Sequence, residues 1–332
     1  MRYIGNKTKL LDFIYETIQE YISNDSSIDK FYDLFSGTGS VSNHMKTTYN
    51  IVANDILKSS FYVNKGLLQN KPKLPENIFN ILNELEEEGF IYNNYSETGS
   101  NRLYFSALNG KKIDGIRNYL FSQLDSNKLT INQFEYLMYC FISAIHKVSN
   151  TTGVYGAFLK KLNGVAKNKL IVEELDIIKT DKTIEVYNKN CIDLLEKINE
   201  NDIVYIDPPY NSRQYNSNYH LLETIVNNVE PKIKIVKGKE SVSGLPDNIE
   251  NSKSSWCSKN LIEKEIEKIA KCKSKYVFMS YNNEGLISIE NIEKIFSKYG
   301  KVIIKKMDHK KYKSNINSNK STVEEVIICR LK

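Results

Sequence analysis

Phe31-Tyr32-Asp33-Leu34-Phe35-Ser36-Gly37-Thr38-Gly39-Ser40 decides how this chain folds. A short apolar run leads into a Gly-x-Gly turn, and Ser40-Val41-Ser42 opens a helix-like segment behind it. Glycine accepts positive φ and lets the backbone approach a ligand closely. A helix N-terminus adds N–H groups that have no partner within the helix. The full dinucleotide fingerprint Gly-x-Gly-x-x-Gly is absent, because position 42 is Ser. After a second strand-like run, Asn50-Ile51-Val52-Ala53, comes Asn54-Asp55, with the acid eighteen residues past Gly37. An acid at about that spacing takes a ribose hydroxyl in nucleotide-binding α/β folds.

Outward from this stretch, strand-like and helix-like runs alternate. Leu10, Leu11, Phe13, Ile14, Ile18, Tyr21 and Ile22 recur at helical spacing and predict a first helix. Another helix is expected near Leu57–Leu68. From about 71 to 180 the pattern is mostly helical. Ile78, Ile81, Leu82 and Leu85 suit one helix, closed by Gly89, and Ile113, Ile116, Leu120 and Leu124 suit another. Ile131, Phe134, Leu137, Met138, Phe141, Ile142 and Ile145 form a core stripe. Asn- and Tyr-rich stretches, including 91–95 and 151–158, read as loops. Alternation returns with Ile184–Tyr187, a short helix through Leu194-Leu195 and the buried strand Ile203-Val204-Tyr205-Ile206. After a polar loop over 211–258 come a helix marked by Leu261, Ile262, Ile266 and Ile269, strands near 276–280, 301–306 and 323–330, and a helix near 289–298. The expectation is an α/β fold, a doubly wound and mostly parallel sheet built from 1–70 and 181–332, with a mostly helical insert over 71–180.

The strand at 203–206 runs into Asp207-Pro208-Pro209-Tyr210. Two prolines remove two backbone donors and fix φ, so the local carbonyls are rigidly aimed. Asp207 adds acceptors, and Tyr210 a flat face. Such a site suits an amino group on an aromatic ring.

Composition sets outer bounds. The 332 residues are 41% apolar, enough for a sizeable core, and 46 basic residues against 40 acidic give a net charge of +6. A mildly basic balance fits a polyanionic partner without proving one. There is neither a signal peptide nor an apolar run of membrane-spanning length. Cys140, Cys191, Cys257, Cys272 and Cys329 are scattered, with no Cys-x-x-Cys pair, so neither a disulfide framework nor a zinc site is expected. The four histidines are isolated from one another and from carboxylate clusters, so no metal site is expected. A reducing cytosol fits.

Taken together, and with the opening Arg2-Tyr3-Ile4-Gly5-Asn6-Lys7, these segments resemble the DNA adenine-N6 methyltransferases, the Dam-like D12 class. The resemblance covers most of the chain in order: opening motif, Gly-rich loop, acidic ribose contact, long insert, Asp-Pro-Pro-Tyr, and the later strand Tyr276–Asn282. It implies a Rossmann-like methyltransferase domain with S-adenosylmethionine as cofactor. Tyr3, Gly5, Asn6 and Lys7 would lie near the methionine end. Asp33, Phe35, Gly37 and Gly39 belong to the loop beside its amino and carboxylate groups. Asp55 would hold the ribose and Asn190 the cofactor's adenine, where relatives often carry Asp; Asp207 adjoins the cofactor as well. Asp207 and the Pro208 carbonyl would accept the hydrogens of the target amine, with Pro209 and Tyr210 completing the motif and Tyr210 stacked on a flipped base.

The resemblance also implies double-stranded DNA as partner, with the insert as target-recognition region. Candidate contacts are Arg102, Lys112, Arg117, Lys160, Arg213, Gln214 and Lys313, with Asn101, Asn109 and Asn150 as candidate readers of adenine edges. Asn150–Lys161 reads as a loop or hairpin suited to a groove. The implied setting is a bacterial or phage restriction–modification system, cytoplasmic, with a cognate endonuclease but no direct contact to it. No Cys follows a Pro, which rejects cytosine-C5 chemistry. Asp207 disfavours cytosine N4, where Ser is usual, and protein glutamine, where Asn is usual. An RNA adenine substrate, or a non-catalytic DNA-binding module with this fold, remains the alternative.

Overall fold

The computed structural model describes residues 5–162, 164–310 and 322–332. Tyr3 and Lys313 lie outside the described residues. The chain begins with α1 (Leu11–Ile22), β1 (Lys30–Asp33), α2 (Ser40–Met45) and β2 (Asn50–Asn54). Five helices follow: α3 (Lys58–Leu68), α4 (Ile78–Glu84), α5 (Phe90–Tyr95), α6 (Ala107–Asp125) and α7 (Ile131–Val148). Next come β3 (Ile184–Tyr187), β4 (Ile203–Ile206), α8 (Tyr215–Asn218), α9 (His220–Val226) and two-residue strands β5 (Ile235–Val236) and β6 (Lys239–Glu240). The chain ends with α10 (Ile262–Ala270), β7 (Tyr276–Asn282), α11 (Ile289–Ser297), β8 (Lys301–Lys310) and β9 (Thr322–Leu331). No helix among the described residues is long and apolar enough to cross a membrane.

These elements form two compact units. The sheet unit comprises Lys7–Ile56, Thr180–Gln214 and Ser254–Lys332. The helical unit holds Leu57–Lys179, Tyr215–Lys253 and the residues up to Asn6. It therefore starts at Leu57 rather than at 71, and takes in a segment that reads in sequence as a polar loop.

In the sheet unit, seven strands run in the order β3-β2-β1-β4-β7-β9-β8. The pairs β1–β2, β1–β4, β2–β3 and β4–β7 are parallel. Strand β9 is antiparallel to its neighbours β7 and β8. This is the mostly parallel, Rossmann-like sheet that the sequence predicts. Parallel strands are buried on both faces, which explains their continuous apolar runs. Tyr32, Val52, Val204, Val277 and Met279 join Ile262, Ile266, Ile269, Ile292 and Phe296 of α10 and α11 in one core. Alternate residues point to opposite faces, so Phe31, Ile51, Ile203 and Phe278 occupy the other side, and they too are buried.

The helical unit has its own core around α7. Thr130 and Gln133 form a capping box that starts this helix. Phe134, Leu137, Met138, Phe141, Ile142 and Ile145 are buried as the stripe predicts, but Ile131 is 54% exposed, because the first helical turn precedes the contact with the core. Two helices are started by acids from elsewhere in the unit. Asp114 of α6 accepts the N–H groups of Ile91 and Tyr92 at 3.0 and 2.8 Å, and so converts an expected loop into α5. Glu223 of α9 accepts those of Lys58 and Ser59 at 3.0 and 2.8 Å, which binds α3 to the 215–253 segment. A carboxylate satisfies the orphan donors of a first turn and complements the helix dipole.

Helices α3 and α7 approach closely at Gly66, where an added Cβ would lie 2.2 Å from the Cβ of Tyr139. Alanine would favour the isolated helix by about 1 kcal/mol, but overpacking costs about 1–3 kcal/mol, and here the clashing atom is next to backbone. Gly66→Ala is therefore expected to lower the melting temperature by several degrees in thermal unfolding, and a rise would contradict the close approach of the two helices.

Candidate active site

The chain runs outward from β1 through β2 to β3, then returns to lay β4 on the other side of β1. Strand order reverses there, and in open α/β sheets the crevice beyond the carboxyl ends at such a point is where ligands bind. Asp33 closes β1 level with Tyr205 of β4, and Asp207 follows two residues later.

Asp33 is 1% exposed. Its Oδ2 accepts the hydroxyl of Ser42 at 2.7 Å, while its Oδ1 is enclosed without a well-formed hydrogen bond. Burial pushes the carboxyl up to about 7; the Ser42 bond opposes this, and the charges of Asp207 and Asp55 add to it. Ser42 is the residue that breaks the Gly-x-x-Gly fingerprint, and its hydroxyl is what holds Asp33.

The turn after β1 places Gly37 at φ +51° and Gly39 at φ +73°. Gly37 donates its N–H to Oδ2 of Asp55 at 2.9 Å. The preceding Asn54, 1% exposed, binds three strand exits together. Its amide donates to the carbonyls of Leu34 and Lys189 at 3.2 and 3.1 Å and accepts the Lys189 N–H at 3.1 Å. Phe35 meets the ring of Trp256 edge-on at 4.8 Å. Asn190 is exposed and caps a 3-10 turn over Cys191–Lys197, accepting the Ile192 N–H at 3.2 Å. Any contact of that oxygen to an adenine must be shared with this cap.

Asp207 is gripped from two sides. The Lys7 ammonium lies 3.0 Å from Oδ2, and the Tyr210 hydroxyl donates to Oδ1 at 2.6 Å. The same ammonium sits 4.9 Å from the Tyr210 ring centre, in cation–π range. Tyr281 abuts that ring edge-on at 5.1 Å. Burial first, then the Asp207 charge, push the Tyr210 phenol well above its ordinary value, which keeps it a neutral donor. Lys7, expected near the cofactor's methionine end, makes its ion pair with Asp207.

Sequence reasoning missed Asn54, Trp256 and Glu325. Glu325 on β9 pairs in register with Asn282 and lies in the field of Lys7 and Asp207. Burial raises its pKa, Lys7 opposes the rise, and Asp207 adds to it. Only the alternation of β9, with one acid facing inward, marked it.

Several candidate DNA contacts are corrected. Lys112 is fully buried and donates to the Asn83 carbonyl. Arg117 is 1% exposed, 3.1 Å from Asp114 and 3.4 Å from Glu230. Arg102 is buried and pairs with Glu240 at 2.5 Å. Asn109 and Asn150 are buried, their amides spent on backbone at Asn168, Leu170, Leu103 and Leu159. Side chains enclosed and bonded this way cannot reach a phosphate or a base. The Asn150–Lys161 stretch, read as a loop or hairpin, is a loop, anchored by the fully buried Tyr155. Gln214 clamps the Ser254 backbone through both ends of its amide, at 2.7 and 3.3 Å. Lys160 and Arg213 are exposed, as a contact requires. Gly5 and Asn6 belong to the helical unit, with Gly5 at φ +77°.

Comparison with known proteins agrees with this geometry. Residues 3–295 match the family model described as D12 class N6 adenine-specific DNA methyltransferase. Type II methyltransferase M.FokI of Planomicrobium okeanokoites is 37% identical over 98% of this chain and 52% of its own length. Modification methylase StsI of Streptococcus sanguinis is 38% identical over 98% of this chain and 51% of its own. This chain thus spans about half the length of those two relatives. Type II methyltransferase M.NlaIII of Neisseria lactamica is 34% identical over 97% of this chain and 95% of its own length. The chain belongs to the D12 class of N6 adenine-specific DNA methyltransferases.

Proposed function

We propose that this chain methylates the N6 amine of an adenine in duplex DNA, with S-adenosylmethionine as donor, as the modification activity of a restriction–modification system. A cognate endonuclease would be its functional counterpart. The observation that carries the proposal is the pairing, on adjacent strand ends, of two differently prepared carboxylates. Asp33 has a buried oxygen without a good partner. Asp207 is fixed between Lys7 and Tyr210.

The residues fit the donor. A buried carboxylate beside two further acids suits an α-ammonium group. Gly37 and Gly39, both at positive φ, have no Cβ atoms to crowd a ligand. Asp55 is assigned to the ribose and Asn190 to the adenine, with Gly5, Asn6 and Phe35 beside the methionine portion. When bound, S-adenosylmethionine supplies a methyl group made electrophilic by its sulfonium.

The rest is placement by this chain's own groups. The exocyclic amine of adenine is a poor nucleophile, because its lone pair is delocalised into the ring. A carboxylate offers roughly four acceptor positions. Lys7 and Tyr210 use two and leave room for an amine hydrogen on Asp207. The Pro208 carbonyl takes the second hydrogen, which turns the lone pair toward the methyl group. The target base must leave the duplex stack to reach this position, and stacking on the Tyr210 ring contributes about 1–3 kcal/mol. The helical unit is assigned to target recognition, and Lys160 and Arg213 to the DNA backbone.

Trp256 is the single tryptophan of the chain and touches Phe35, so its fluorescence reports cofactor binding. Asp207→Ala is expected to lower kcat by about a thousandfold or more while the fluorescence titration with S-adenosylmethionine stays within a few-fold of wild type. Retained methyl transfer in this variant would refute the assignment.

Cofactor affinity also depends on pH. Asp33 must be ionised to hold an ammonium, and its carboxyl titrates at about 7. Affinity therefore rises by up to about tenfold per pH unit below 7, levels above it, and falls once the cofactor's α-amino group titrates near about 8. Asp33→Asn should bind weakly, without the rising limb. A flat wild-type affinity between about pH 5.5 and 7.5 would remove Asp33 from the ammonium site.

A further inference from the structure

The hairpin β5–β6 stands out in the helical unit. Its two strands are joined by Lys237 and Gly238, both at positive φ, +52° and +77°. That is the two-residue turn whose twist matches a β-hairpin, and it favours Asn over Lys at the first position. Side chains of both strands face solvent: Ile235 is 61% exposed and Val236 48%. A two-stranded ribbon has little stability alone, and this one keeps two β-branched residues in solvent.

The base of the hairpin is firmly held. Ser241 donates its N–H to the Lys234 carbonyl at 2.8 Å, and Lys234 donates to the Leu245 carbonyl at 2.8 Å. The buried Tyr95 and Tyr104 hydroxyls donate to the Gly244 and Ser243 carbonyls at 2.6 and 3.0 Å. Arg102 donates to the Ser241 carbonyl at 3.3 Å and pairs with Glu240. The arginine that the sequence offers as a DNA contact is thus a strut beneath the hairpin.

Charge decides what the ribbon fits. Arg102 neutralises Glu240, and Glu250 neutralises Lys234 at 2.9 Å. Lys232, Lys237 and Lys239 are exposed and make no ion pair among the described contacts. Three cations without an ion pair among the described contacts therefore lie along a ribbon that also exposes Ile235 and Val236. The major groove of B-DNA admits a two-stranded ribbon, its rims are phosphates, and thymine methyls line its floor.

We propose that the β5–β6 hairpin is a DNA-contact element of this methyltransferase, with Lys232, Lys237 and Lys239 on phosphates and Ile235 and Val236 against groove edges. The inference rests on duplex DNA being the substrate.

The test compares wild type with the triple variant Lys232→Gln, Lys237→Asn, Lys239→Gln. Asn suits the turn better than Lys, so the substitutions keep the fold, and thermal unfolding checks this. Binding to a fluorescent duplex carrying the methylated sequence is measured by anisotropy at several salt concentrations, and kcat at saturating DNA. Each phosphate contact contributes about 0.9 to the slope of log K against log salt. The triple variant should lose about 2–3 from that slope and bind at least about tenfold more weakly at physiological salt, with kcat at saturation essentially unchanged. A folded variant with wild-type affinity and slope overturns the hairpin assignment while wild-type methylation still stands. A wild-type chain that neither binds nor methylates DNA overturns the parent reading, and this one with it.

Discussion

The pairing of β1 with β4 is the constraint on which the site depends. Parallel neighbours need long crossovers, and burial on both faces leaves no room for polar side chains along such strands. Most of the chemistry is left to the strand exits, where three acids of the candidate site stand: Asp33 at the end of β1, Asp55 after β2 and Asp207 after β4. Asn54 keeps those exits in step, because one buried amide bonds the loops behind β1 and β3 at once. Its loss would release two loops for a handful of missing atoms.

Buried acids serve two purposes in this chain, and their partners tell them apart. Asp114 and Glu223 each take a pair of helix N–H groups, and Asp114 has Arg117 beside it. Their partners come from the fold itself. Asp33 has the Ser42 hydroxyl and the Phe35 backbone N–H beside it but no cation, and the charges of Asp207 and Asp55 that act on it are of its own sign. The energetic cost of burying a carboxylate that way is offset only when a cation arrives. Asp207 is intermediate, since Lys7 and Tyr210 orient it without exhausting its acceptors.

The sheet was largely legible in the sequence. Its apolar runs at 31–34, 51–53, 184–187, 203–206 and 276–280 all became strands, because a strand buried on both faces carries an unmistakable composition. The Asp207-Pro208-Pro209-Tyr210 turn could be singled out for a local reason, as the chemistry proposed for it lies in four consecutive residues. What depended on partners distant in sequence was not legible. Arg102, Lys112 and Arg117 are indistinguishable from surface cations until their acceptors appear, at Glu240, Asn83 and Asp114. Helix α5 and the 215–253 segment read as loops because an acid far along the chain starts one, and short elements with weak periodicity build the other. Lys7 was tied to the cofactor by resemblance, and only geometry placed it on Asp207.

The most direct test of the central claim is to incubate the protein with S-adenosylmethionine and unmodified genomic DNA, and to map modified bases by single-molecule sequencing. The expected result is N6-methyladenine at one fixed sequence motif. Methylation at cytosine N4, or a chain that binds the cofactor yet leaves DNA unmodified, would contradict the role given to Asp207.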